Sequence, residues 1–173
     1  MHFLSHLKLI KTFVFDMDGV LTDGGLLIDN NNQWLRRMHV RDGYALQLAV
    51  KSGFNVIVIS GSNSPQVTER LKKLGVQNVF MQVTEKAKFL REFAVHNNFT
   101  LGEMLFMGDD IPDYECMQMV GFACCPADAA PEIIGISKYI SPFKGGYGCV
   151  RDIIEKILKL NNKWILHTTT TST

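Results

Sequence analysis

Thr12-Phe13-Val14-Phe15-Asp16-Met17-Asp18-Gly19-Val20-Leu21-Thr22-Asp23 is an apolar run that ends on two aspartates and a glycine. A strand with no polar alternation has no solvent face. It predicts a parallel strand covered by helices on both sides. Asn55-Val56-Ile57-Val58-Ile59 repeats the pattern. Further strand-like runs lie at 78–81, 104–107, 121–124 and 138–140, and the first is expected over 9–15. Helical spacing fills the intervals. One helix is expected over 41–52, ended by Gly53. Val67, Leu71 and Leu74 recur before Gly75, and Thr84 reads as the cap of a helix reaching His96. A short helix is expected after Pro112, and a last one carries Val150, Ile153, Ile154, Ile157 and Leu158. Strand and helix in alternation predict an α/β fold, a Rossmann-like three-layer sandwich with a mostly parallel sheet.

One segment breaks the alternation. Gly24–Val40 holds two β-capable runs around Asp29-Asn30-Asn31-Asn32, which reads as a β-hairpin set between the first strand and the first helix. Its apolar residues, Leu26, Leu27, Ile28, Trp34 and Leu35, would be unfavourable in water on a protruding ribbon. The hairpin is expected over about 24–40, as a small insertion between the first strand and the first helix.

The chain has 173 residues and a formal net charge of +1. That length predicts one domain over 1–160, with residues 161–173 as a flexible tail. Near-zero charge argues against nucleic acid as a partner and gives no reason to expect a membrane surface. The N-terminus lacks the apolar core of a signal peptide, and no run is long enough to span a bilayer. Cys116, Cys124, Cys125 and Cys149 form no C-x-x-C pair. Buried reduced thiols in a cytoplasmic protein are expected.

In an open parallel sheet, ligands bind at the carboxyl ends of the strands. Polar residues collect there. Asp16 and Asp18 follow the first strand, and Ser60-Gly61-Ser62 follows the second. Lys86 opens a helix, and Gly108-Asp109-Asp110-Ile111-Pro112-Asp113 follows 104–107. Asp16 and Asp18 are two apart, so an extended backbone turns both the same way. Asp109 and Asp110 add two more carboxylates. Such crowding is unfavourable without a counter-charge, and Mg²⁺ prefers oxygen ligands. A lysine and a hydroxyl at neighbouring strand ends can hold a phosphate. Together these groups describe phosphoryl transfer through a carboxylate nucleophile. Either motif alone is weak; both, in this order and each after an apolar strand, are not.

D-M-D-G-V-L-T-D, S-G, Lys86 and G-D-D-I-P-D, in that order, resemble the four motifs of the haloacid dehalogenase superfamily. The hairpin, Arg41-Asp42-Gly43-Tyr44, Ala127-Asp128-Ala129-Ala130-Pro131 and Gly145-Gly146-Tyr147-Gly148-Cys149-Val150-Arg151 resemble its capless sugar-acid phosphatases, those acting on 3-deoxy-D-manno-octulosonate 8-phosphate. The resemblance spans roughly 8–160. It implies Asp16 as nucleophile and Asp18 as proton donor and acceptor. It implies Mg²⁺ held by the Asp16 carboxylate, the Asp18 main-chain carbonyl and Asp109, with Asp110 near it through water. Ser60, Gly61 and Lys86 would hold the phosphoryl group, Arg41 and Ser62 would meet the sugar acid, and Asp113 would orient. A homotetramer whose hairpins pack together is also implied.

Two positions depart from the pattern. Ser62 stands where many relatives carry Arg, and Gln82 where many carry Gly. Arg36, Arg37, Arg41, Lys144 and Arg151 are alternative contacts for a substrate carboxylate. A nonulosonate 9-phosphate or another small phosphate ester therefore stays open as substrate. A signalling receiver domain uses similar groups, but in a different order along the chain. An inactive binding relative would not need every catalytic position filled.

Overall fold

The computed structural model describes residues 3–31 and 33–165. Its centre is a six-stranded, wholly parallel sheet. In chain order the strands are β1 (Thr12–Phe15), β4 (Asn55–Ile59), β5 (Asn78–Phe80), β6 (Met104–Met107), β7 (Phe122–Cys125) and β8 (Tyr139–Ile140). In space the order is β5-β4-β1-β6-β7-β8, so β1 lies between β4 and β6. The remaining pair, β2 (Leu27–Ile28) and β3 (Trp34–Leu35), forms the antiparallel hairpin, with Leu27 opposite Leu35 and Ile28 opposite Trp34.

Period-two alternation sorts the core into two layers. Phe13, Phe15, Val56, Val58, Leu105 and Met107 face one side. There they meet α1 (Phe3–Leu9), α2 (Val40–Lys51), α3 (Pro65–Lys73) and α7 (Cys149–Leu160). Val14, Ile57, Ile59, Met104 and Phe106 face the other side. That layer is covered by α4 (Lys86–His96), α5 (Tyr114–Met119) and α6 (Pro131–Ile136). The strands are apolar throughout because both faces are covered, as the sequence implied.

Several boundaries differ from the sequence reading. The first strand starts at Thr12 rather than residue 9, and α1 precedes it. Leu7 and Ile10 are buried in the core, so the apolar run around residue 9 serves a helix and its exit. Thr84 is not the cap of α4. The helix begins at Lys86, with Glu85 in the capping place and no side-chain bond. The helix α6 was not foreseen. Residues 161–165, expected to begin a flexible tail, follow α7 and lay Trp164 against Tyr44 with ring centroids 6.1 Å apart. The rest of that expected tail lies outside the described residues. All four cysteines are buried and unpaired. No helix among the described residues is long and apolar enough to cross a membrane.

One buried side chain fixes the ends of two helices together. Asp42, in the first turn of α2, accepts from the backbone N–H of Arg151 (2.7 Å) and Gly148 (3.2 Å) at the start of α7. A carboxylate from another helix thereby satisfies N–H groups that α7 leaves unpaired. Burial raises the Asp42 carboxyl, and these bonds act against the rise.

Candidate active site

The carboxyl ends of β1, β4 and β6 open onto one cleft of about 330 Å³, lined by Asp16, Asp18, Ser60, Ser62, Lys86 and Asp109 among others. Each residue is delivered by the turn that ends a strand. After β1 the backbone is extended at Asp16 (φ −71°, ψ 166°) and at Asp18 (φ −79°, ψ 122°), and it turns at Gly19 (φ 86°). Thr22 N–H closes this tight turn on the Met17 carbonyl at 3.0 Å. Gly19 has no substitute here. A Cβ on it would lie 2.0 Å from Asp109 Oδ2, so its bare backbone lets the first and fourth motifs meet. Gly145 leans on the same turn from outside; its Cβ would stand 1.8 Å from the Gly19 carbonyl oxygen.

Lys86 is the hinge of the charge arrangement. Its Nζ donates to Asp16 Oδ1 and Asp113 Oδ1, both at 2.8 Å, and all three side chains are buried. Burial alone would lower the ammonium, but the two carboxylates outweigh it and hold it above its ordinary value. Burial pushes Asp16 up to about 7, with the Asp113 charge adding to the rise and Lys86 opposing it. Asp109 is pushed up to about 8 by burial and by Asp16, Asp113 and Asp110. Burial also raises Asp113, against the pull of Lys86. Asp113 Oδ2 accepts from the Asp109 N–H at 3.2 Å, so its carboxylate ties Lys86 to the loop that carries Asp109.

Carboxylate oxygens of Asp16, Asp109 and Asp113 lie within 4.8 Å of one another. Asp109 Oδ1 is buried and has no hydrogen-bond partner among the described residues. A buried acceptor left unpaired is costly, and an oxygen-seeking divalent cation would satisfy it. Five carboxylates line the cleft, Asp16, Asp18, Asp109, Asp110 and Asp113, against the Lys86 ammonium and the Arg36 guanidinium that pairs with Asp18. A phosphate dianion could not enter that field unless a cation offset it. The residues present therefore fit a bound Mg²⁺.

The second motif faces the same cleft. Ser60 is buried, and its Oγ accepts from Ser62 N–H at 3.1 Å. Gln82 N–H donates to the Ser62 carbonyl at 3.1 Å, tying the loops after β4 and β5 together. Gln82 has φ +59°, the left-handed region that favours glycine. The two departures from the family pattern thus meet across one backbone bond. Of the expected site residues, Asp16, Asp18, Ser60, Gly61, Ser62, Lys86, Asp109, Asp110 and Asp113 all line the cleft. Arg41 is exposed on α2 and does not line it. Sequence reasoning missed the partner of Asp18. Arg36 is one of the alternative contacts expected for a substrate carboxylate, yet its guanidinium holds both oxygens of Asp18, at 2.8 and 3.2 Å. No spacing rule reveals that pair, because only the path of the hairpin brings it together.

The comparisons with known proteins agree with this geometry. The haloacid dehalogenase-like hydrolase family model matches residues 77–154. The 3-deoxy-D-manno-octulosonate 8-phosphate phosphatase of Escherichia coli K12 is 30% identical over 89% of this chain and 82% of its own length. That of Salmonella typhi is 29% identical over 94% of this chain and 86% of its own. A crystal structure of such a phosphatase from Moraxella catarrhalis, in complex with magnesium, phosphate and KDO, superposes with a TM-score of 0.89. It is 30% identical and covers 92% of each chain. The chain belongs to the haloacid dehalogenase-like hydrolases. Within them it is a phosphoric monoester hydrolase of the branch without a cap domain, the branch of the octulosonate 8-phosphate phosphatases it resembles.

Proposed function

We propose that this chain is a Mg²⁺-dependent phosphatase acting on a phosphorylated keto-sugar acid, 3-deoxy-D-manno-octulosonate 8-phosphate, through an aspartyl-phosphate. The observation that carries the reading is the Asp16–Lys86–Asp113 triad beside the unpartnered oxygen of Asp109.

Asp16 is the nucleophile. Its Oδ1 is engaged by Lys86, which fixes the carboxylate and offsets its charge as the phosphoryl group approaches. The carboxylate attacks phosphorus, the bond to the sugar oxygen breaks, and that oxygen takes a proton from Asp18. In the second half Asp18 takes a proton from water as the water attacks phosphorus. The Asp16–phosphorus bond breaks and inorganic phosphate leaves. Ser60, the backbone at Gly61 and Lys86 hold the phosphoryl oxygens, with Asp113 orienting Lys86. Mg²⁺, held by Asp16, the Asp18 carbonyl and Asp109, with Asp110 beyond, supplies the positive charge that lets two anions meet.

Ser62 faces the sugar acid. Arg41 lies outside its own chain's cleft and serves the substrate only where a neighbouring copy closes the site. A homotetramer joined by its hairpins, working in the cytoplasm, is part of the same reading. Because Ser62 replaces a common arginine, a nonulosonate 9-phosphate is the second candidate substrate.

Phosphate release from a sugar-phosphate panel, octulosonate and nonulosonate esters included, tests the proposal with and without Mg²⁺. The octulosonate ester should give the highest kcat/KM, turnover should need Mg²⁺, and Asp16→Asn should abolish it. Loss of no activity in Asp16→Asn would remove the aspartyl-phosphate; a higher kcat/KM with the nonulosonate ester would shift the substrate.

A further inference from the structure

Arg36 leaves the hairpin just after β3 and turns inward. The ribbon before it is exposed, Trp34 at 56% and Leu35 at 40%, whereas the Arg36 side chain is only 3% exposed. Its guanidinium spans Asp18. Nε donates to Oδ1 at 2.8 Å and Nη2 to Oδ2 at 3.2 Å. Nη1 donates to the Trp34 carbonyl at 3.3 Å, which ties the guanidinium to its own ribbon. Thr22 Oγ1 donates to Asp18 Oδ1 at 3.2 Å.

A carboxylate oxygen accepts about two hydrogen bonds. Oδ1 has both, from Arg36 and Thr22. Among the described residues Oδ2 has one, which leaves a lone pair uncommitted. A planar two-point grip also fixes the plane of the carboxyl group, which a lysine's single rotatable ammonium would not. Exposed ion pairs are weak, but a buried guanidinium has given up its water and needs this partner.

We infer that Arg36 is a positioning residue for Asp18, and that Oδ2 is the oxygen that exchanges the proton. The inference rests on the proton-transfer role given to Asp18 above. When the bond from phosphorus to the leaving oxygen breaks, its electron pair stays on that oxygen, which takes the proton from Oδ2. In the second half Oδ2 takes a proton from the attacking water. The hairpin thus reaches the chemistry through Arg36, from a ribbon whose Trp34 and Leu35 stay exposed.

The leaving group reads this out. A p-nitrophenolate departs without a proton, whereas an alkoxide needs one. Rates of phosphate release from p-nitrophenyl phosphate, phenyl phosphate and an alkyl phosphate without a carboxylate are compared for wild type, Arg36→Ala, Arg36→Lys and Asp18→Asn, with melting temperatures alongside. Arg36→Ala should lose at least about 30-fold in kcat/KM on the alkyl ester and under about 3-fold on p-nitrophenyl phosphate, since kcat/KM ends at departure of the leaving group and leaves out the hydrolysis common to all three. Arg36→Lys should recover part of the loss in the same pattern. Should Arg36→Ala not fold, Arg36→Lys carries the comparison alone.

An equal loss on every ester, or none, overturns the inference. So does a rise in KM confined to the octulosonate ester, assayed beside these three, which would make Arg36 a substrate contact. Asp18→Asn separates the two levels. A steep leaving-group dependence there with a flat one in the Arg36 variants removes Arg36 alone. A flat dependence in Asp18→Asn removes the role of Asp18, and the inference with it.

Discussion

Lys86 shows how far one residue can be read before a structure is known. Its place in the order of motifs marked it as a phosphate ligand, but a lysine in a helix's first turn is ordinarily solvated. It is buried instead, with its ammonium shared between Asp16 and Asp113. The pairing follows from topology, since α4 starts beside β1 and the loop after β6 returns Asp113 to the same point. Lys86→Ala would leave two buried carboxylates without their cation. Breaking a buried pair in this way costs about 3–5 kcal/mol. The cost should shrink at acid pH, because Asp16 and Asp113 can then take protons rather than stay charged. Activity should fall by about 10²–10³-fold, as when a donor to developing charge is removed. Urea melts at pH 5.5 and pH 8.5 check the sign; an equal loss at both would mean that charge is not what Lys86 balances. Asp18 marks the opposite limit. Its motif identified it, whereas its partner Arg36 stands 18 positions away on a ribbon whose course no local pattern specifies.

Elements were legible where their pattern was unmixed. The strands β1, β4, β6 and β7 are apolar on both faces, so length and flanking turns were enough to find them. The helix α1 was not, because Leu7, Leu9 and Ile10 run straight into β1 and short apolar runs do not declare their period. The start of α4 was misplaced for a related reason. Thr84 has the chemistry of a cap, but the helix starts one residue later than that cap would set, with Glu85 in the capping place and Lys86 first in the helix. The hairpin was legible from its turn. Asp29 Oδ1 accepts from Asn31 and Gln33 N–H, both at 2.8 Å, closing the loop as an aspartate before asparagines should. Leu27, Ile28 and Trp34 are left 67%, 58% and 56% exposed, more apolar surface than a two-stranded ribbon bears alone. If the hairpins join copies into a tetramer, Leu27→Ser combined with Ile28→Ser should shift sedimentation at micromolar concentration from tetramer to monomer. A wild-type monomer under the same conditions would show that the ribbon's apolar face serves something else.

At the scale of the whole molecule, the parallel sheet gathers into one cleft more negative charge than it balances. Formal net charge is only +1, yet the carboxylates of β1 and β6 meet within a single site. Asp16 is pushed up to about 7 and Asp109 to about 8, each from an ordinary value of 3.8. Through the interval between those values the native state holds protons that the unfolded chain has already released. Stability of the metal-free protein must therefore fall as pH rises from about 4 to about 8. A divalent cation reverses this, because it replaces the protons and binds only the native cluster. Mg²⁺ should then raise the melting temperature little at pH 5 and increasingly toward pH 8. Asp109→Asn removes one of the raised carboxylates. Without metal it should melt above wild type at pH 8, and added Mg²⁺ should bring it a smaller gain. Melting curves for both proteins at pH 5, 6.5 and 8, with and without Mg²⁺, test the account. A metal-free wild type whose stability is flat across that range would mean the charge is relieved within the fold, leaving no electrostatic reason for the cluster to bind a cation.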